Sequence, residues 1–258
     1  MSHRSRKRFG QHFLHERSVI ERILHALHPQ PGDVMVEIGP GRGALTRGLV
    51  GRVGELHVVE FDRDLVAWLQ QTYTPDQLTV HSADALRFDF RALRHDQRRL
   101  RIVGNLPYNI STPLLFHLLD QIDAVQEMLF MLQKEVVDRM AAAPGGKEYG
   151  RLSVMIQWRA RVEKLFDVPP GAFTPPPKVD SSVVRLSPHA VPPIAVADPA
   201  RFETVVQAAF AHRRKTLRNT LKGLVDEAGF AKADIDPVRR AETLTLGEFA
   251  RLASQVAG

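Results

Sequence analysis

The chain has 258 residues, 44% of them hydrophobic, which is enough to bury one sizeable α/β core and still carry a smaller helical appendage. It has no cysteine, which excludes disulfides, thiolate chemistry and cysteine-ligated zinc, and no apolar run long enough for a membrane span or a secretory signal, so a soluble, cytoplasmic protein is expected. A formal net charge of +6 favours a polyanionic partner.

In chain order, Arg4, Arg6, Lys7 and Arg8 make a basic N-terminal arm. The pairs His12/His15 and His25/His28 stand at helical i,i+3 spacing with no third ligand nearby in sequence, so no metal is expected. Residues 34–38 read as a buried parallel strand, followed at once by Gly39-Pro40-Gly41-Arg42-Gly43 and a helical stretch over 44–50. A second strand over 56–59 ends at Glu60, about 20 residues beyond the glycines, where nucleotide-binding sheets place an acid that receives ribose hydroxyls. A dinucleotide turn offers its N–H groups to a pyrophosphate, whereas Pro40 removes a donor; S-adenosylmethionine has no phosphate and tolerates that loss. A third strand over 78–81 leads to Asp84, placed to accept a hydrogen bond from the cofactor's adenine amine.

A strand over 100–104 runs into Asn105-Leu106-Pro107-Tyr108. The amine of adenine is a poor nucleophile because its lone pair is delocalised into the ring. The Asn105 side-chain carbonyl and the Leu106 or Pro107 backbone carbonyl can each accept one of its hydrogens, and Tyr108 offers a flat face for the base. Residues 141–151 read as a glycine-containing loop between a helix and a strand, either a lid that touches RNA through Lys147 and Arg151 or a plain exposed connection. The proline-rich stretch 168–177 is stiff and holds Phe173. After a last strand over 182–186, the prolines of 187–193 mark a linker, giving a catalytic domain over 1–187 and a helical domain over 188–258. In the latter, 202–225 reads as one amphipathic helix with Val206, Phe210, Leu217, Leu221 and Leu224 on a stripe and Arg214, Arg218 and Lys222 on its flank, beside Arg213 and Lys215; 246–256 reads as another helix.

The segments Lys7-Arg8-Phe9-Gly10-Gln11-His12-Phe13-Leu14, Val36-Glu37-Ile38-Gly39-Pro40-Gly41, Asn105-Leu106-Pro107-Tyr108-Asn109 and Phe173-Thr174-Pro175-Pro176-Pro177-Lys178-Val179-Asp180-Ser181 occur in the order seen in the KsgA family of small-subunit rRNA adenine N6,N6-dimethyltransferases, and the chain resembles that family from about Arg8 to Leu221. The resemblance implies a Rossmann-like class I S-adenosylmethionine-dependent methyltransferase sheet of the α/β class with a small C-terminal helical domain. It implies cofactor contacts at His12, Leu14, Gly39, Gly41, Glu60, Asp84 and Asn105; the position of His12 is more usually Asn in the family.

It further implies that Phe173 stacks on the face of the target adenine opposite Tyr108, Phe173 as a core plug being the alternative. Stacking on each face is worth roughly 1–3 kcal/mol, comparable to the few kcal/mol that flipping a base out costs. On the same resemblance the basic residues of the arm, of the 141–151 loop and of 213–222 contact RNA, the substrate is a pair of adjacent adenosines in the 3′-terminal hairpin of 16S rRNA within the small subunit, and the protein acts as a monomer. The alternatives are a large-subunit rRNA adenine N6-methyltransferase of the antibiotic-resistance type, a non-catalytic ribosome-assembly factor, and a nicotinamide-dependent oxidoreductase, which Pro40 disfavours.

Overall fold

The structure, a computed structural model, describes residues 12–256. The chain begins with a short strand β1 (Phe13–Leu14) and helix α1 (Arg17–Leu27), which buries Val19, Ile23 and Leu27 at four-residue spacing. Strand β2 (Val34–Ile38) is buried at every position, as a strand covered on both faces must be. It is followed by α2 (Thr46–Leu49), β3 (Glu55–Glu60), α3 (Arg63–Thr72), whose first turn is capped by Asp62, and β4 (Thr79–Ser82). Then come β5 (Leu100–Asn105), α4 (Ser111–Leu119), β6 (Val125–Gln133), α5 (Lys134–Ala141), α6 (Arg151–Arg159), β7 (Ala160–Val168), β8 (Phe173–Thr174) and β9 (Ser181–Pro188). The C-terminal part holds α7 (Pro199–Phe210), α8 (Leu217–Thr220), α9 (Glu227–Ala233) and α10 (Leu246–Ala253).

The main sheet has the order β4-β3-β2-β5-β6-β9-β7. Neighbours from β4 to β6 pair in parallel, and β9 runs antiparallel to β6. The chain winds outward from β2 through β3 to β4, then returns to lay β5 on the other side of β2. The carboxyl ends of β2, β3 and β5 therefore flank a topological switch point, where open α/β sheets place their ligands. A separate two-stranded pairing joins β1 to β8, with Phe13 opposite Thr174 and Leu14 opposite Phe173.

The chain divides into two compact units, Met1–Val137 with Glu163–Pro188 and Asp138–Val162 with His189–Gly258. This differs from the linear boundary at 187 read from the prolines. Residues 138–162 leave the sheet-bearing unit because α6 packs on α7: the Trp158 and Phe202 rings lie 4.8 Å apart, and Arg151 pairs with Glu203 at 2.9 Å. The same packing corrects the reading of 141–151, which joins two helices and not a helix to a strand.

The continuous helix expected over 202–225 is also corrected. It stops at Phe210, turns through 211–216 and resumes only for the single turn of α8, after Thr216 in an extended conformation. Val206, Leu217 and Leu221 are nonetheless buried.

Candidate active site

A cavity of about 250 Å³ opens at the carboxyl ends of the parallel strands, lined by residues 12–14 and by the segments that follow β2, β3, β4 and β5. Gly39 and Gly41 take φ of +65° and +55°, conformations that side-chain-bearing residues rarely adopt, and a Cβ on Gly41 would lie 3.1 Å from the Phe13 ring. The N–H groups of the three glycines in the turn are spent within the protein. Gly39 donates to the Val59 carbonyl, Gly43 to the Pro40 carbonyl and Gly41 to Glu60 Oε2. Pro40 has none, so the turn cannot cradle a pyrophosphate as a dinucleotide loop does, and the nicotinamide reading fails on this geometry.

Glu60 ends β3, only 7% exposed, and its Oε1 accepts from the N–H groups of Phe61 and Asp62 at 2.9 and 2.8 Å. Burial raises the pKa of its carboxyl, while the N–H donors from Asp62, Gly41 and Phe61 pull it down. Asp84 lies half-buried beyond β4, with Oδ1 accepting from the Leu86 N–H at 3.0 Å. That bond fixes the carboxylate and leaves its second oxygen to a ligand. Leu14 lines the same cavity from β1.

Among the lining residues that the sequence did not single out, Phe61 and Glu37 bear on the chemistry. Phe61, the neighbour of Glu60, is 56% exposed and gives the cavity a flat apolar wall. Glu37 lies at the cavity while 2% exposed, with Oε2 accepting from the Thr46 hydroxyl at 2.6 Å. The strict alternation of side chains along a strand hides Glu37 within an apolar run. Phe61 carries no motif signal beyond its place after the acid.

Asn105 stands at the end of β5. Its Nδ2 donates to the His12 carbonyl at 2.9 Å, and His12 Nδ1 donates to the Pro175 carbonyl at 2.7 Å. The Pro107 carbonyl already accepts the Ile110 N–H at 3.2 Å, which favours the Leu106 carbonyl as the second acceptor for a substrate amine. The Tyr108 hydroxyl bonds Ser181 Oγ at 2.7 Å, and its ring lies 5.5 Å from that of His12 at 30°. Burial raises the Tyr108 pKa, so it stays protonated. Ser181 thus serves the site as an anchor, visible in the sequence only as the end of a motif.

Phe173 is not available as a stacking face. It is 2% exposed and belongs to the apolar core with Leu14, Val168 and Val183, while its neighbour Thr174 faces outward, as alternation along β8 requires. The ring beside Tyr108 is that of His12.

The basic residues divide. Arg4, Arg6, Lys7 and Arg8 lie outside the described residues. Arg151 pairs with Glu203 and Arg218 pairs with Glu227 at 2.8 Å, and Arg213 donates to the Lys147 carbonyl, so these three are engaged within their own unit. Arg214, Lys215 and Lys222 are exposed and make no ion pair among the described residues. Among those residues, too, no helix is long and apolar enough to cross a membrane, and no cluster of three or more His, Asp or Glu is arranged to hold a metal ion.

The donor set suits S-adenosylmethionine. Glu60 lines the cavity with a carboxylate suited to ribose hydroxyls, Asp84 has an oxygen for an adenine amine, Phe61 provides an apolar wall, and buried carboxylates suit a cationic ligand.

A family model for ribosomal RNA adenine dimethylase matches residues 2–257. The ribosomal RNA small subunit methyltransferase A of Pseudomonas aeruginosa is 55% identical over 256 residues, covering 99% of this chain and 96% of that protein. The protein of the same name from Methylobacillus flagellatus is 54% identical over 257 residues, covering 100% of both. A dimethyladenosine transferase from Plasmodium falciparum superimposes with a TM-score of 0.75 at 24% identity, over 93% of this chain and 96% of that one, a likeness of fold. The 23S rRNA methyltransferase ErmE superimposes at 0.70 with 25% identity, over 95% and 99%.

Proposed function

Because the chain belongs to the ribosomal RNA adenine dimethylase family, we propose that it transfers methyl groups from S-adenosylmethionine to N6 of two adjacent adenosines in the 3′-terminal hairpin loop of 16S rRNA, during small-subunit biogenesis. The observation that carries this reading is the convergence of Gly39, Glu60, Asp84 and residues 105–108 on one cavity at the switch point of the sheet. The small-subunit substrate follows the relatives at 54–55% identity, against 25% for the large-subunit enzyme.

Glu60 receives the ribose hydroxyls, Asp84 the adenine amine of the cofactor, and Leu14, Gly39 and Gly41 shape the wall along its length. The cofactor supplies an activated sulfonium methyl. The protein supplies position: Asn105 Oδ1 and the Leu106 carbonyl accept the two hydrogens of the target amine, localise its lone pair toward the methyl and stabilise the positive charge that develops on nitrogen. Tyr108 stacks on the base, held by Ser181. No general base is needed, because the product ammonium loses its proton to water. Arg214, Lys215 and Lys222, with the basic arm, contact the phosphate backbone of rRNA in the small subunit, and the protein works as a cytoplasmic monomer.

The test is incubation with radiolabelled S-adenosylmethionine and small subunits lacking the modification, followed by mapping of the labelled nucleotide. Label recovered as N6,N6-dimethyladenosine in the 3′-terminal hairpin is expected. Label in large-subunit RNA, or none at all, would refute the assignment.

A further inference from the structure

Glu37 is not needed for any step described above, yet it is the most deeply buried acid at the cavity. It is 2% exposed on β2, Oε2 takes one hydrogen bond from Thr46, and no other donor reaches the carboxylate among the described residues. Glu60 lines the same cavity at 7% exposure, and neither acid has an ion pair among the described residues. A buried carboxylate without a cationic partner either takes up a proton or awaits a cation.

The charged and titratable groups that act on Glu37 from its surroundings are few. Glu60, from β3, repels it. Tyr73, just beyond α3, feels the Glu37 charge and is held in turn by Arg47 of α2, while Thr46 of the same helix contributes only its hydroxyl. Glu37 pairs in register with Val58 on β3 and Val103 on β5, both apolar.

We propose that Glu37 is the proton-releasing counter-ion of the cofactor site: it carries a proton in the cofactor-free protein and gives it to solvent when the cationic methyl donor enters, so that donor binding is coupled to proton loss. This rests on the reading of the cavity as an S-adenosylmethionine site. The O–H bond of the Glu37 carboxyl breaks, its electron pair stays on the carboxylate and the proton bonds to the buffer base; no other bond changes. Burial, with repulsion from Glu60 and against the Thr46 hydrogen bond, pushes the Glu37 pKa up to about 7, so the group is poised to respond at neutral pH.

The test is calorimetric titration of the full-length protein with S-adenosylmethionine at one pH in buffers of different ionisation enthalpy. Release of about half a proton per donor bound is expected at pH 7, with affinity rising about tenfold between pH 6 and pH 8 as the acid ionises beforehand. In Glu37→Gln the buffer dependence disappears. Thr46→Val, which removes the one hydrogen bond that favours the carboxylate, moves the midpoint of proton release to higher pH and keeps the inference testable should the Gln variant fold poorly. Donor binding by the unaltered protein without proton release, or the same release in Glu37→Gln, overturns the inference and leaves the cofactor reading standing. No donor binding at all removes both.

Discussion

Asn105 makes a hydrogen bond that decides which of its two polar atoms faces a substrate. A backbone carbonyl only accepts, so the atom opposite the His12 carbonyl must be Nδ2, and Oδ1 is left as the acceptor. Asn105→Ala should slow transfer on the order of 10²- to 10³-fold under saturating cofactor, as for the loss of one preorganised polar group, measured by single-turnover methylation. Tyr108→Phe keeps the stacking face and loses only the bond to Ser181, so its turnover should fall far less than that of Tyr108→Ala; equal losses would mean that the ring does not stack. Glu37 also predicts a pH effect on stability. Its folded pKa of about 7 lies above the ordinary 4.5, so its contribution is full below about pH 4.5 and is lost as pH rises through 7. Urea midpoints of the cofactor-free protein should show this loss, and Glu37→Gln should flatten it. At this scale the places of Glu60, Asp84 and Asn105 on the cavity wall were legible because each stands at or just past the carboxyl end of a strand. Glu37, Phe61 and Ser181 were not, since their roles depend on which way a side chain points.

Strands were the elements best read from sequence. β2 stands where its apolar run placed it, and the strands ending in Glu60 and Asn105 differ from their readings only at their ends. A buried parallel strand is a short unbroken apolar run, and its length and flanking glycines mark it. The helix over 202–225 misled because apolar residues at i,i+4 also occur on two helices joined by a turn, and nothing between Phe210 and Thr216 is a glycine or proline to signal the break. Phe173 misled differently, since the proline-rich segment announces rigidity but not which face of β8 turns inward. Its burial predicts that Phe173→Ala costs about 3–5 kcal/mol in urea unfolding, as for other fully buried aromatic rings. A variant of unchanged stability with slowed methyl transfer would instead return Phe173 to the base slot.

For the molecule as a whole, net charge pointed to the class of partner, while the distribution of ion pairs shows which cations remain for it. Arg151 and Arg218 form ion pairs with Glu203 and Glu227, whereas Arg214 and Lys215 are exposed without ion pairs among the described residues. The double substitution Arg214→Ala, Lys215→Ala should therefore weaken binding to small subunits and lower the slope of log affinity against log salt by about 2, roughly 1 per phosphate contact. The same change at Arg151 and Arg218 should act mainly on stability. The two-unit division was only partly legible, because prolines mark a linker in the chain but give no sign that 138–162 packs with the C-terminal helices. The central claim, that one switch-point cavity brings a methyl donor to the amine-gripping residues 105–108, is tested most directly by a crystal structure with S-adenosylmethionine bound. The account predicts ribose hydroxyls on Glu60, the adenine amine on Asp84 and the sulfonium methyl facing the space beside Asn105 Oδ1. A cofactor bound elsewhere, or with its methyl turned away from Asn105, would contradict it.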